Sequence, residues 1–551
     1  MPDATTTPPA AEPNLASPPS ASESQTDVYA IHGADPEVLA YAMAKYSRSS
    51  LSMRESLAEI SSQRAEQFLN TFYFQYGHRS IADLAHIPFA LERLSLLAAI
   101  SVVDEQRWDG QERSTRYQNF RKSGCFTPAF PPEQKAAYTA AISALFTAYD
   151  QVGAGMTEAL KAAIPQPDSM KDDAYLRTLK ARAFDVARYL LPLATNTSLG
   201  QIVSARTLES QIARLLSSEF SEVRALGERL KSAAAGPAWN VQHAEARVLC
   251  DEVTSVDNAC GCRVSDILLR EVRTAPTLVK YAAPSDYAIT SRAELRAAAA
   301  ELMSGQPIEP APVVDLVEDA ASLEIELAVS LLYSECHYSW RQLARTVAAL
   351  PAARVAELCA LGAKHRGRHD ELLRAFSSGH SLRFDILMDI GGFRDMHRHR
   401  RCIQLLQPYT DLHGYDEPTC PGQPTLAQAG LADLYTNAMD SALAAYRALS
   451  GSTTNPGAPS SRPQGAKVGE QTWDTNDAAY LLPLGTRIRA MFKMDFAEAL
   501  YIAELRSGVA GHFSYRRVAW EMYLAVAKRH PALAPLFRIE DVNQPIDLLK
   551  R

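Results

Sequence analysis

Two short stretches hold the residues best suited to chemistry. One is His397-Arg398-His399-Arg400-Arg401. Three arginines so close together need anionic partners if they are to be buried. The guanidinium fork takes phosphate oxygens two at a time. The other is Glu112-Arg113-Ser114-Thr115-Arg116-Tyr117. Its hydroxyls and Arg116 are donors and Glu112 is an acceptor, a set able to hold a phosphate and a heterocycle. Taken alone, each stretch also fits a solvated, salt-bridged surface loop. A third cluster, Cys260-Gly261-Cys262 with Cys250 and His243 nearby, matches no common zinc spacing. It reads as ordinary thiols in a helical region, and no metal is expected.

The elements that must position these residues are mostly helices. Asp35-Pro36 is a helix start, a cap followed by proline in the first turn, and 35–77 reads mostly as helix. Runs rich in Ala, Leu, Glu and Arg recur at 133–163, 173–235, 290–303, 315–376 and 425–450 with i, i+3, i+4 apolar spacing. Strand candidates are confined to apolar stretches near 85–103 and 382–393. The basic cluster follows the second of these. Of 551 residues, 47% are apolar and 22% charged, and 56 basic against 63 acidic residues give a net charge of −7. That balance suits a globular enzyme and argues against a bulk nucleic-acid binder or a membrane-surface protein. It allows one local basic pocket. No window approaches the ~18 apolar residues of a membrane span. Residues 1–27 are Pro/Ala/Ser/Thr-rich, lack the basic start and apolar core of a signal peptide, and are expected to be disordered to about Thr26. Eight cysteines without framework spacing predict reduced thiols and a cytoplasmic protein.

An internal repeat organises the chain. Tyr189–Thr195 reads YLLPLAT and Tyr480–Thr486 reads YLLPLGT, 291 residues on. A tyrosine closes a distinctive segment upstream of each, Tyr117 and Tyr409, 292 residues apart. Matched spacing of two landmarks predicts a duplication. The halves are 28–303 and 313–551, joined by a linker at 304–312, with a flexible insertion at 451–472 in the second half.

The order of motifs resembles the flavin-dependent thymidylate synthases. That family carries Arg-His-Arg, seven residues, then Ser-x-Arg-Tyr, preceded by a Gly-His-x-Ser/Thr segment and followed by Arg-x-x-x-Pro and Asn-x-Arg-Ser. The first half has Gly77-His78-Arg79-Ser80 with Asp83, then Glu112-x-Ser114-x-Arg116-Tyr117. It continues with Arg188-Tyr189-Leu190-Leu191-Pro192, Ser204-Ala205-Arg206 and Arg214. The second half is similar more weakly, through Arg398-His399-Arg400, Tyr480–Leu484 and Arg506. The resemblance implies a helix-rich α+β fold in two tandem repeats, each with a small antiparallel sheet. It also implies reductive methylation of dUMP to dTMP with FAD as cofactor and NADPH and methylenetetrahydrofolate as co-substrates. By it, Arg398, His399, Arg400, His78, Ser80, Ser204 and Arg206 would hold the flavin, and Glu112, Arg116, Arg188 and Arg394 the nucleotide. Ser114 would position and polarise, and Arg214 or its counterpart Arg506 would stabilise charge on the uracil.

The departures are asymmetric. Where the first half should read Arg-His-Arg it has Asp104-Glu105-Gln106, and where the second should have Ser it has Pro408. The second half also has Ala479 and Ala497 where the first has Arg188 and Arg206. Each half keeps what the other lacks. The family's sites lie between subunits of a homotetramer. Fused halves could therefore build a composite site, with two chains mimicking the tetramer, and the reciprocal site would be dead. A flavin enzyme acting on another pyrimidine, and a catalytically silent binding or scaffold protein, stay open as alternatives.

Overall fold

The computed structural model describes residues 29, 31, 33–45, 51–59, 65, 66, 69, 79–317, 323–365, 373–377, 381–451, 475–529, 531, 534 and 537–549. The expected disordered tail, most of the 35–77 region beyond helices α1 (Pro36–Lys45) and α2 (Met53–Glu59), and the insertion after Gly451 lie outside the described residues. No helix among the described residues is long and apolar enough to cross a membrane.

The first repeat runs β1 (His86–Ser95), α3 (Leu96–Val103), β2 (Asp109–Glu112), α4 (Pro132–Ala163), α5 (Asp172–Ala187), β3 (Asn196–Ser204), α6 (Ala205–Leu216) and α7 (Ser221–Ala235). Helices α8 (His243–Val256), α9 (Asn258–Leu268) and α10 (Asp286–Leu302) follow. Then come β4 (Val314–Leu316) and helices α11 (Leu323–Tyr333), α12 (Trp340–Ala348) and α13 (Ala352–Leu361). The second repeat repeats the first: β5 (Leu382–Asp389), α14 (Ile390–Met396), β6 (Ile403–Leu406), α15 (Ala432–Ser450), β7 (Arg487–Met494), α16 (Phe496–Ser507) and α17 (Phe513–Arg529). Both sheets are antiparallel, ordered β1-β3-β2 and β4-β5-β7-β6. The fold is α+β, as the resemblance implies.

Each apolar stretch expected as a strand is a strand followed by a helix. The break is made by an N-cap: Ser95 accepts from the Ala98 N–H, Asp389 from the Gly392 N–H. The helical reading of 173–235 misses β3, and β7 carries no strand signal either. In β7, Arg489 and Lys493 are buried, so its hydropathy reads as surface. Arg489 is tolerated because Asp385 on β5 pairs with it at 3.1 Å. Asp385 is held in turn by the Tyr333 hydroxyl and, at 3.0 Å, the Trp340 N–H.

The repeated heptapeptides join the halves. Leu193 N–H donates to Leu482 O and Leu484 N–H to Leu191 O, both at 2.9 Å. Ala194 N–H donates to Tyr480 O and Gly485 N–H to Tyr189 O, again at 2.9 Å. Moving either partner by 291 residues turns each bond into its mate, so the halves meet across a pseudo-two-fold axis between Pro192 and Pro483. Gly485 stands where the first repeat has Ala194 because a Cβ there would lie 2.9 Å from the Tyr435 hydroxyl and 3.1 Å from Tyr189. One hydrophobic core contains side chains from both repeats, Leu193 and Ile87 with Leu484 and Phe384 among them. The second landmark needs correction. Arg113 N–H donates to Ser198 O as Gln407 N–H donates to Arg489 O. This register sets Tyr409 opposite Thr115, not Tyr117, and confirms Pro408 opposite Ser114.

Candidate functional site

The pseudo-two-fold axis creates two clefts, each between one repeat's helix–strand corner and the other repeat's short strand. In the first, Arg394 on α14 and Arg398 just past it face Glu112 at the end of β2. Arg394 forms an ion pair with one carboxylate oxygen, and Arg398 lies 3.9 Å from the other. The Arg394 and Glu112 side chains are buried, while the Arg398 side chain is 39% exposed. Arg400 stacks on the Trp108 ring with its Cζ 4.4 Å from the centroid, and lies 3.7 Å from Asp109. Trp108 is fixed by its own amide ladder. Its Nε1–H donates to Gln201 at 2.6 Å, Gln201 bonds Gln211, and Gln211 donates to Val102 O. Gly110 leaves room for that ring, since a Cβ there would fall 2.6 Å from it. A void of about 10 Å³ between Trp108, Glu112, Arg394, His397 and Arg398 holds no more than one water.

Under this cleft runs a chain of charges. Arg188 donates to Asp395 at 3.1 Å. Arg116 donates to Asp185 at 2.8 Å, to the Tyr515 hydroxyl at 3.0 Å and to Ala510 O at 3.2 Å. Burial raises the Asp395 carboxyl, but Arg188, Arg398 and Arg116 outweigh it and hold it below the ordinary carboxylate range. Ser114 accepts the Arg116 N–H at 3.3 Å. At the rim, Arg506 donates to His399 Nε2 at 2.7 Å. Burial, then Arg506 and Arg400, push His399 down to about 3, so its ring is neutral at pH 7. Buried nitrogens remain without a hydrogen-bond partner here: Arg188 Nε and Nη2, Arg394 Nε and Arg400 Nε. These buried donors meet no acceptor among the described residues.

The second cleft is different. Asp104 and Glu105 stand where the first has Arg398 and His399. Arg374 donates to Asp104 at 2.6 Å, and Arg214 donates to Glu105 at 2.9 Å. The Arg214–Glu105 contact resembles Arg506–His399, but the shared cap register of α6 and α16 sets Leu505, not Arg506, opposite Arg214; Arg214 serves this second cleft. Ser204 and Arg206 lie elsewhere again. Ser204 caps α6, and Arg206 donates to Asp83 at 3.1 Å. His78 lies outside the described residues, as does the side chain of Ser80. The first cleft thus gathers Glu112, Ser114, Arg116 and Arg188 from one repeat with Arg394, Arg398, His399, Arg400 and Arg506 from the other.

The sequence profile described as "Thymidylate synthase complementing protein" matches residues 30–234 and 368–532, two-thirds of the chain. The chain belongs to the thymidylate synthase complementing protein family. The two matched segments are the two repeats, and α8–α13 fall between them. A UPF0159 protein of Chlamydia pneumoniae is 25% identical over 95% of this chain and 93% of its own length. One of Thermoplasma acidophilum is 23% identical over 91% and 95%. A flavin-dependent thymidylate synthase from Helicobacter pylori, solved with FAD and dUMP, aligns with 36% of this chain and 89% of its own at 17% identity, with a TM-score of 0.22.

Sequence reasoning passed over Asp395, Asp185, His512 and Trp108. Asp185 and Arg188 are three apart at the end of α5, and Asp395 precedes Arg398 by three. For Asp185, a carboxylate within the otherwise apolar turn Ala183–Ala187 was the available signal; Asp395, set among Arg394, His397 and Arg398, carried no such mark. Nothing in the spacing marks His512, whose ring bonds Asp185 O at 2.8 Å from 327 residues away.

Proposed function

We propose that this family member is a flavin-dependent thymidylate synthase that converts dUMP to dTMP by reductive methylation in the first cleft. One observation carries the reading. The Arg-His-Arg cluster of the second repeat and the Glu-x-Ser-x-Arg loop of the first meet at Glu112. Neither repeat holds both parts, and the fold joins them. The exposed Arg398 and the orphaned Arg400 donor suit the phosphate oxygens of FAD and of a nucleotide. In that reaction the flavin supplies hydride, methylenetetrahydrofolate the carbon and NADPH the electrons that reduce the flavin.

The chain's own groups bind, orient and stabilise charge. Arg398, the exposed member of the Arg-His-Arg cluster, and half-buried Arg400, stacked on Trp108, grip phosphate. Arg394 is committed to Glu112 and sets that carboxylate's position. Arg116 and Arg188, buried against Asp185 and Asp395, form the floor. Neutral His399 orients Arg506, whose guanidinium stabilises negative charge as uracil N3 loses its proton. Arg214, in the other cleft, does not serve this step. Two chains associating would reproduce the four-repeat assembly implied by the resemblance, in a cytoplasmic enzyme.

The test is complementation of a thymidine-requiring bacterium, with flavin content measured on the purified protein. The wild type should restore growth and purify yellow, and Arg398→Ala should do neither. A yellow protein that binds dUMP but makes no dTMP would transfer the reading to another pyrimidine. A colourless one that binds no dUMP would leave a scaffold.

A further inference from the structure

The two clefts are equivalent in backbone, but the corresponding positions carry Asp104 and Glu105 in one and Arg398 and His399 in the other. Asp104 follows α3 as Arg398 follows α14, and β6 crosses the second cleft as β2 crosses the first. The second cleft is nonetheless lined by cations. Arg374 donates to Asp104 Oδ1 at 2.6 Å and to Asp104 O at 3.2 Å, and also reaches Gln404 O. Arg214 reaches Glu105 at 2.9 Å and lies 3.9 Å from Asp104. His397, 6% exposed, turns Nε2 toward the same carboxylate at 3.9 Å, and that nitrogen has no hydrogen-bond partner among the described residues. Its other nitrogen meets Gln404 Oε1 at 2.7 Å.

This is an anion site with the anion built in. Two guanidiniums and a buried imidazole nitrogen converge on one carboxylate, and a second carboxylate completes the neutralisation, two cations against two anions. Both clefts keep unfilled buried nitrogens, on Arg188, Arg394 and Arg400 in the first and on Arg214 Nη2 and His397 Nε2 in the second, where Asp104 and Glu105 engage the other donors. The second has replaced its ligand with its own side chains.

We infer that Asp104 and Glu105 plug a phosphate-class anion site formed by Arg214, Arg374 and His397, so that each chain takes one phosphorylated ligand rather than two. The count of one flavin per chain rests on the function proposed above. The plug itself does not. Arg374 is the residue that makes the closure active. By the strand register, which slips one residue at the bulge between Glu92 and Leu94, it stands where the first repeat has Arg79, and it binds Asp104 at both its side chain and its backbone carbonyl.

Two measurements test this on the full-length chain. FAD bound per chain after reconstitution should be one for the wild type and none for Arg398→Ala. Two per chain, or one retained by Arg398→Ala, overturns the inference. The second measurement uses pyrophosphate as the probe, in the Arg398→Ala background where the first cleft is crippled. Arg398→Ala alone should show no rise in melting temperature with pyrophosphate. Adding Asp104→Asn and Glu105→Gln should produce a concentration-dependent rise. Adding Arg374→Gln to that variant should abolish it. A folded Asp104→Asn, Glu105→Gln variant blind to pyrophosphate overturns the plug. If that variant does not fold, the FAD count on the wild type still decides. A wild type that binds no FAD defeats the functional reading, while the pyrophosphate measurement still judges the plug.

Discussion

The Glu112 contact separates the arginine that builds the cleft from the arginine that serves it. Glu112 and Arg394 are 7% and 6% exposed and paired, whereas Arg398 is 39% exposed and stands 3.9 Å from the same carboxylate. Glu112→Gln keeps the shape and removes the charge, which leaves Arg394 buried without its anion. Breaking one partner of a buried pair costs about 3–5 kcal/mol. Arg394→Ala should fall near the lower end, because Arg398 can still neutralise Glu112. Arg398→Ala loses only a long, half-exposed contact, about 0–1 kcal/mol. The assay is urea unfolding of the three variants with a common slope, alongside flavin content. Stability should fall in the order Glu112→Gln, Arg394→Ala, Arg398→Ala, and flavin occupancy should fall for Arg398→Ala even though its stability does not. Combining Glu112→Gln with Arg394→Met should recover much of the loss, since the buried pair then leaves together. If Arg398→Ala destabilises more than Arg394→Ala, or Glu112→Gln costs under about 1 kcal/mol, the division between structural and ligand-facing arginines is wrong.

Arg116→Lys should cost about 3 kcal/mol or more in stability, because one ammonium cannot replace the fork shared by Asp185, Tyr515 and Ala510 O. Calorimetry that finds no loss would place Arg116 outside the scaffold. Gly110→Ala would put a Cβ 2.3 Å from Gly200 O and 2.6 Å from the Trp108 ring. It should destabilise by about 1–3 kcal/mol and change Trp108 fluorescence, which an unaltered spectrum would contradict. Asp389 is pushed up to about 6, first by burial and then by Asp416. Its stabilising contribution is therefore present below the unfolded value near 4 and is lost as pH rises through 6. Between pH 5 and pH 8 the stability of Asp389→Asn relative to wild type should rise by about 1 kcal/mol, and a flat difference would refute the shift. Residues 28–303 and 313–551 expressed apart should each fail to give a cooperative melt, since the four heptapeptide bonds and one core span both repeats. Two independently folded halves would contradict this.

What the sequence disclosed, and what it hid, follows from the range of the interactions. Helices α4 and α15 were legible because their apolar periodicity is local. The Arg-His-Arg cluster and the Glu-x-Ser-x-Arg loop were legible as contiguous strings, and so was their complementary damage. Strands β3 and β7 were not. Gln201, Arg489 and Lys493 are buried there, and only partners far along the chain make that burial tolerable, Asp385 for Arg489 and Trp108 for Gln201. The commitment of Arg116 to Asp185 and Tyr515 was hidden for the same reason. A donor read in isolation looks available, and the fold decides whether it is already engaged.

The caps of α3 and α14 show how a fused duplication alters one repeat at a time. In the first repeat the cap is a hydroxyl, Ser95, held at 2.5 Å by a carboxylate, Glu222. In the second the cap is a carboxylate, Asp389, held by a hydroxyl, Ser514. The contact is conserved in kind while its two halves have changed places. Asymmetry of this sort is open to a chain whose two copies are written separately and is closed to a homo-oligomer, where one substitution appears in every subunit. The clefts obey the same rule on a larger scale. A carboxylate at position 104 closes one cleft and leaves the other untouched, because Arg398 is encoded independently. In an oligomer of identical subunits the same change would remove the basic cluster from every site. The loss of Arg-His-Arg from one repeat is thus compatible with an intact composite site, provided that Glu112, Ser114, Arg398 and Arg400 all stay on the same side of the pseudo-axis, as they do here.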